Sequence, residues 1–125
     1  MFLPFNLKPV KETAMTNKAK RIAALNDLCR TAMGAAGRLV VTPGISSLPL
    51  VDDRSSVFEK VQKFEDFSAG NNPYGERDFG AFDHAGHKVF WKIDYYDPTF
   101  SQGSEDPADP KKTARVLTIM LAEEY

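Results

Sequence analysis

The stretch FGAFDHAGHKVFWKIDYY, residues 79–96, decides the fold of this chain. Phe79 to Asp83 and His87 to Tyr96 both show the alternation of side chains that is typical of strands. The intervening Ala85-Gly86 pair is a turn signal. The alternation predicts one face of the second strand as Val89, Trp91, Ile93 and Tyr95, and the other face as Phe90, Lys92, Asp94 and Tyr96. The stretch therefore predicts a long β-hairpin.

Two further segments have strand character. Arg38 to Thr42 is a short run rich in β-branched residues and is ended by Pro43-Gly44. Residues 113–125 are ambiguous, because Asp109-Pro110 could also start a helix there. The β-branched residues of this segment favour a strand. The proline-rich, acidic residues 97–110 are predicted to form a surface loop.

Two segments have helical periodicity. Asn17 to Met33 has apolar residues at three- and four-residue steps, and these residues are Ile22, Leu25, Leu28, Cys29 and Met33. Ser56 and Glu59 have the form of a capping box, which predicts a second helix from about Val57 to Phe67. Cys29 is expected to be a buried structural thiol.

These elements predict an α+β protein. We expect two helices packed on one face of a mainly antiparallel four-stranded sheet that ends in a β-meander. Residues 16–125 are expected to form a single domain, and residues 1–15 a flexible N-terminal extension. Translation could begin at Met15, which directly precedes the helix-capping residues Thr16-Asn17.

Composition restricts the possible function classes. The chain has 125 residues and a formal net charge of −1, so no global field favours a polyanion. Cys29 is the only cysteine, which excludes an intramolecular disulfide and indicates a reducing compartment. No apolar run is long enough to span a bilayer, so no membrane partner is expected and a cytoplasmic location is predicted.

Several strings of this sequence resemble a known family. The strings are Ile22 to Asp27, Asn72 to Glu76, Asp78 to Gly80, Phe90 to Asp97 and Arg115 to Ala122. Over about residues 20–125 the chain is similar to domain-of-unknown-function family 3768, whose members resemble small proteobacterial proteins. The resemblance implies no reaction, because the family has no assigned activity.

The residues favour a binding or regulatory function with a protein partner of unknown identity. Polar side chains on one face of the long strand, next to a turn pinned by Pro73 and Gly75, can form a binding surface. The surface would use the sheet face and the loop 71–78. The candidate binding residues are Tyr74, Glu76, Arg77, Asp78, Lys92, Asp94 and Tyr96. No cofactor, no resident metal and no particular oligomeric state is predicted.

A metal-dependent hydrolase or nuclease is a first alternative. Glu76, Asp78, His84 and Asp94 are residue types that bind divalent metals or transfer protons, although their spacing is unspecific. The sequence lacks a phosphate-binding Gly-rich loop with its lysine, a dinucleotide fingerprint and a Gly-x-Ser-x-Gly elbow. No catalytic residue is assigned, and a non-enzymatic function is favoured.

A nucleic-acid-binding protein is a second, less favoured alternative. It would use the basic residues of the first predicted helix, which are Lys18, Lys20, Arg21 and Arg30.

Overall fold

The structure of the chain is a computed structural model, and it describes residues 10–35, 37–49, 51–68 and 72–125. In chain order the elements are α1 (Val10–Thr31), β1 (Arg38–Val41), α2 (Pro43–Ser46), α3 (Val51–Gln62), β2 (Phe79–His84), β3 (His87–Tyr96) and β4 (Ala114–Leu121). A 3-10 turn, Ala122–Glu124, follows β4. None of the described helices is long and apolar enough to cross a membrane.

The four strands form one sheet in the order β1-β4-β3-β2. β2, β3 and β4 pair antiparallel in sequence order, which confirms the hairpin and the meander. The segment that could have been strand or helix is a strand. β1 pairs parallel with β4, so the sheet is mixed. The predicted sheet was mainly antiparallel, and the prediction did not include this parallel pair. Parallel pairing requires a long connection, and α2, α3 and the β2–β3 hairpin lie between the two strands.

The core lies on the face of the sheet that carries odd-numbered residues of β3 and β4. Trp91, Ile93, Leu117 and Ile119 are buried there. The same cluster includes Cys29 of α1, and also Val57 and Val61 of α3. The buried thiol agrees with the expectation for Cys29, and burial raises its pKa.

α1 differs from its predicted bounds and from its predicted stripe. It begins at Val10, seven residues before the predicted start, and it ends at Thr31. Leu28, predicted on the apolar face, is 64% exposed, whereas Asn26 is fully buried. The prediction of a flexible extension over residues 1–15 falls mainly on residues outside the described ones and stays a prediction.

α3 begins and ends earlier than the predicted helix over 57–67. The apparent capping box at Ser56 and Glu59 lies inside the helix, which begins at Val51. Asp53, in the first turn, favours a start there, because acidic residues stabilise the first helical turn. The helix ends at Gln62, where Arg30 donates hydrogen bonds of 2.9 Å to the carbonyl oxygens of Val61 and Gln62.

Candidate functional site

The loop 72–78 connects the region after α3 to β2, and its backbone is tightly constrained. Gly75 and Arg77 have positive φ angles of 73° and 56°. Such angles are easy for glycine and uncommon for other residues. The backbone N–H of Arg77 donates to Oδ1 of Asn72 at 2.8 Å. The turn chemistry predicted for this segment is therefore present, and it directs successive side chains to different surroundings.

Glu76 faces the interior, where it joins a buried polar network centred on Asn26. Asn26 Nδ2 donates to the carbonyl oxygen of Glu76 at 2.9 Å and to the hydroxyl of Tyr95 at 2.7 Å. The Tyr95 hydroxyl donates to Glu76 Oε1 at 2.8 Å. Asn26 Oδ1 accepts from Arg115 Nε at 2.7 Å. Burial raises the pKa of Tyr95, which keeps its phenol protonated as a donor.

Arg77 also faces α1. Its Nε pairs with Asp27 Oδ1 at 3.1 Å, and the same oxygen accepts from the buried Arg30 at 3.0 Å. The guanidinium of Arg77 stacks over the Phe67 ring, 4.0 Å from its centroid. Glu76 and Arg77 are therefore held by contacts within the chain and fix the loop against α1.

Tyr74 and Asp78 also line a groove next to the loop. The groove has a volume of about 390 Å³. It is lined by Pro73, Tyr74, Asp78, Phe79, Lys92, Ile93, Asp94 and Tyr125. We call this set the groove. Tyr74 is 82% exposed and Tyr125 is 78% exposed, so two aromatic rings extend from its rim into solvent.

The floor of the groove is part of the sheet face that carries even-numbered residues of β3. Phe79 of β2 lies opposite Lys92 of β3, and Lys92 lies opposite Thr118 of β4. The Phe79 ring packs edge-on against Phe90 with centroids 5.1 Å apart. We call this side, with Phe90, Lys92, Asp94 and Tyr96 of β3, the open sheet face. These four residues are half-buried or exposed.

Tyr125 reaches this face because the preceding turn is anchored. Glu124 Oε1 accepts from the Thr42 hydroxyl at 2.6 Å, and Oε2 accepts from the Gly44 N–H at 3.0 Å. These hydrogen bonds, with the Thr42 bond contributing most, lower the pKa of Glu124. The Tyr125 ring then packs edge-on against Phe90 with centroids 5.7 Å apart.

Two of the three charged side chains that line the groove form an ion pair with each other. Lys92 Nζ and Asp94 Oδ2 form an ion pair of 2.8 Å, and this bond raises the pKa of Lys92. Asp78 has no ion-pair partner among the described residues. Burial raises the pKa of Asp78, against the opposing effect of a hydrogen bond from its own backbone N–H, and the nearby carboxylates of Glu76 and Asp94 raise it further. The groove therefore contains an unpaired, partly desolvated carboxylate.

The structure divides the seven predicted binding residues into three groups. The groove brings together Tyr74, Asp78, Lys92 and Asp94. Glu76 and Arg77 belong to the interior contacts with α1. Tyr96 is on the open sheet face but packs near Phe100, with ring centroids 5.9 Å apart.

The four residues of the hydrolase alternative do not converge. His84 lies at the far end of β2, where its Nε2 contacts Asp53 Oδ1 at 2.9 Å and its Nδ1 is 3.3 Å from Lys60 Nζ. Six residues of extended chain place His84 roughly 20 Å from Asp78. Within the described ranges, no three His, Cys, Asp or Glu side chains could hold a metal ion together.

The basic face predicted for the nucleic-acid alternative is smaller than expected. Lys18, Lys20 and Arg21 are exposed, but Arg30 is 3% exposed. Arg30 is buried because it pairs with Asp27 and with the last carbonyls of α3, and because it stacks near Trp91. Its assignment to a solvent-facing basic surface was wrong.

Sequence reasoning missed several residues that shape the site. Phe79 and Tyr125 line the groove. Asn26 holds Glu76 of the loop, and Arg115 in turn bonds Asn26. A signal for Asn26 was present, because it lies four residues after Ile22 and three before Cys29 on the buried side of α1. No local signal places Tyr125 on the sheet, since its position depends on the contact between Glu124 and the Thr42 region.

The fold and the site define a small α+β protein with a shallow aromatic groove on a mixed sheet. The family described as "Protein of unknown function (DUF3768)" matches residues 41–124. The chain belongs to this family, as the resemblance indicated. The match begins at the end of β1, so it excludes α1 and the string Ile22 to Asp27, which was included in the expected range. No curated protein and no solved structure matches the chain.

Proposed function

We propose that this chain is a binding protein with a regulatory role, and that it engages a protein partner through the groove and the adjoining open sheet face. The observation that carries the proposal is the pair of exposed aromatic side chains, Tyr74 and Tyr125, at the rim of a groove that contains an unpaired carboxylate. Tyrosines that combine a large apolar ring with a polar tip are enriched among the residues that dominate protein interfaces.

The rigidity of the loop supports the same proposal. Glu76 and Arg77 are each hydrogen-bonded to α1 or to β3, so the backbone that carries Tyr74 and Asp78 is already fixed. A surface that is ordered before binding loses less conformational entropy when a partner docks. The groove is therefore better suited to recognition than an unsupported loop of the same composition.

The charge pattern favours a protein over a polyanion as partner. The groove contains Asp78 and Asp94 against Lys92 alone, and residues 71–125 carry ten acidic and six basic residues, a balance of −4. A surface with this balance repels phosphate groups, whereas mixed polar and aromatic character is typical of protein interfaces.

The proposal is tested by cross-linking in the native host. The photoreactive residue p-benzoylphenylalanine replaces Tyr74 in one variant and Leu28, which is also exposed but outside the groove, in a matched control. We expect irradiation to give a discrete protein adduct from position 74 that position 28 does not give. Mass spectrometry of the adduct identifies the partner. An equal adduct from both positions, or none from position 74, would contradict the proposal.

A further inference from the structure

We propose that the groove accepts an arginine side chain of the partner, with the Asp78 carboxylate as the acceptor and the rings of Tyr74, Phe79 and Tyr125 as the surrounding wall. This inference rests on the proposed function and adds the chemistry by which the partner is recognised.

Asp78 carries a charge that the rest of the groove does not neutralise. Asp78 is half-buried, and none of the described lysines, arginines or histidines pairs with it. A partly desolvated carboxylate without a counter-charge is unfavourable, and a cation from outside the chain would remove this cost. The carboxylates of Glu76 and Asp94 also act on Asp78, so the local potential is negative.

The one lysine in the groove does not fill this role. Lys92 Nζ is held by Asp94 Oδ2 at 2.8 Å. The charges of Lys92 and Asp94 cancel each other. The carboxylate of Asp78 therefore gives the groove one net negative charge. The complementary ligand is therefore a single cationic group.

The walls of the groove narrow the choice of cation. Tyr74, Phe79 and Tyr125 line the same groove as Asp78 and contribute its aromatic side chains. A guanidinium is planar and weakly hydrated, so it stacks on rings while it donates two parallel hydrogen bonds to a carboxylate. An ammonium is more strongly hydrated and cannot form this paired geometry. Arginine fits both features of the groove better than lysine does.

The test uses two short peptides with the complete, isotopically labelled chain. Acetyl-Gly-Arg-Gly-amide is the probe, and acetyl-Gly-citrulline-Gly-amide is its matched control, because citrulline keeps the shape of arginine without the charge. We expect saturable shifts of the amide resonances of Tyr74, Asp78, Phe79 and Tyr125 with a dissociation constant on the order of millimolar. The citrulline peptide should bind at least about tenfold more weakly.

Two variants change the charge of the groove in opposite directions. Asp78→Asn removes the proposed acceptor, and we expect affinity for the arginine peptide to fall by about tenfold or more. Lys92→Gln releases Asp94 from its ion pair, so the same peptide should bind a few-fold more tightly. The amide spectrum of each variant verifies that it is folded.

Three results would overturn the inference. They are equal binding of both peptides, shifts confined to residues outside the groove, and an arginine affinity that Asp78→Asn leaves unchanged. A partner that cross-links at position 74 while the arginine peptide fails to bind would refute this inference alone. An arginine peptide that binds the groove while position 74 gives no adduct would refute the proposed function alone.

Discussion

At the scale of single residues, neighbours in the loop 72–78 have different surroundings. Glu76 and Arg77 contact α1 and β3, whereas Tyr74 and Asp78 line the groove. The positive φ angle of Arg77 belongs to the turn that separates the two sets. Substitutions of the residues that contact α1 should therefore lower the stability, whereas substitutions in the groove should weaken binding without lowering the stability.

Asn26 tests the stability side. Its side chain forms hydrogen bonds with Glu76, Tyr95 and Arg115, so Asn26→Ala removes three hydrogen bonds at the centre of the network. We expect the free energy of unfolding to fall by about 3 kcal/mol. Leu28→Ala, on the exposed side of the same helix, should change it by less than about 0.5 kcal/mol. Urea unfolding of both variants measures this difference, and equal losses would contradict the account of the network.

Asp78 lies in the groove, and the pH dependence of the stability reports the ionisation of its carboxyl. Its pKa in the folded chain is raised above the ordinary value of 3.8, so the folded state binds the proton more tightly than the unfolded state does. Stability from this group is therefore present at low pH and is lost as the pH rises through the raised pKa. Asp78→Asn should stabilise the chain at pH 7, by no more than about 1 kcal/mol because solvent screens a half-buried group.

The stabilising effect of Asp78→Asn should shrink as the pH falls, because the wild-type carboxyl becomes neutral as well. Thermal unfolding of both proteins between pH 3 and pH 7 measures this trend. Asp94→Asn is a useful comparison, since it breaks an ion pair with Lys92 and should not stabilise the chain. A variant at position 78 that is less stable at pH 7 than the wild type would show that the charge contributes to the fold.

The candidate residues were predictable only in part at this scale. Alternation along β3 placed Lys92 and Asp94 on one face, and the turn residues around Pro73 and Gly75 identified the loop. The contacts that hold Glu76 and Arg77 depend on Asn26 and Asp27, which are 50 residues earlier in the chain. Contacts of this separation have no signature in a local pattern.

At the scale of elements, α1 and α3 meet at the buried side chain of Arg30. Its guanidinium binds the last carbonyls of α3, pairs with Asp27 and stacks near the rings of Phe67 and Trp91. The sequence analysis grouped Arg30 with the lysines of the first predicted helix, because its residue type alone suggests exposure to solvent. The pattern of one helix cannot show that the end of a second helix binds the guanidinium.

Replacement of Arg30 should therefore destabilise the junction of the two helices. We expect Arg30→Ala to lower the free energy of unfolding by about 3 kcal/mol, since carbonyls and a carboxylate lose their donor. Arg21→Ala, at an exposed position of the same helix, should have an effect below about 0.5 kcal/mol. Chemical unfolding with matched circular dichroism measures both, and a neutral Arg30→Ala would refute the capping role.

Element boundaries show the same limit of sequence reasoning. The hairpin was predicted to within one residue, because alternation and a two-residue turn are local features. The bounds of α3 were not, since the apparent capping box at Ser56 and Glu59 lies in the middle of a longer helix. The end of that helix is set by Arg30, which belongs to a different element.

At the scale of the whole molecule, β4 is a central strand of the sheet. It pairs with β3 on one side and with β1 on the other, so the last strand of the chain is central and the first is at an edge. Propensity identified both segments as strands. Their parallel partnership could not be read from the sequence, because it joins residues about 78 positions apart, such as Arg38 and Val116.

This topology predicts a gradient of local stability that hydrogen exchange can measure. The amides of β3 and β4 should be the most protected, because these strands are paired on both sides. β1 should exchange faster, because it has four residues and a single partner strand. β2 is also an edge strand but has six residues, which makes it the natural comparison. Exchange of β4 as fast as that of β1 would contradict the observed strand order.

The central claim is that the groove and the open sheet face bind a protein partner. The most direct test measures how tightly the partner identified by cross-linking binds the double variant Tyr74→Ala with Tyr125→Ala. The same measurement on Leu28→Ala is the control. We predict that the double variant binds at least about tenfold more weakly, while Leu28→Ala stays within about twofold of the wild type. The melting temperatures of both variants should lie within about 2 °C of the wild-type value, because all three side chains are exposed. A folded double variant that keeps wild-type affinity would contradict the claim.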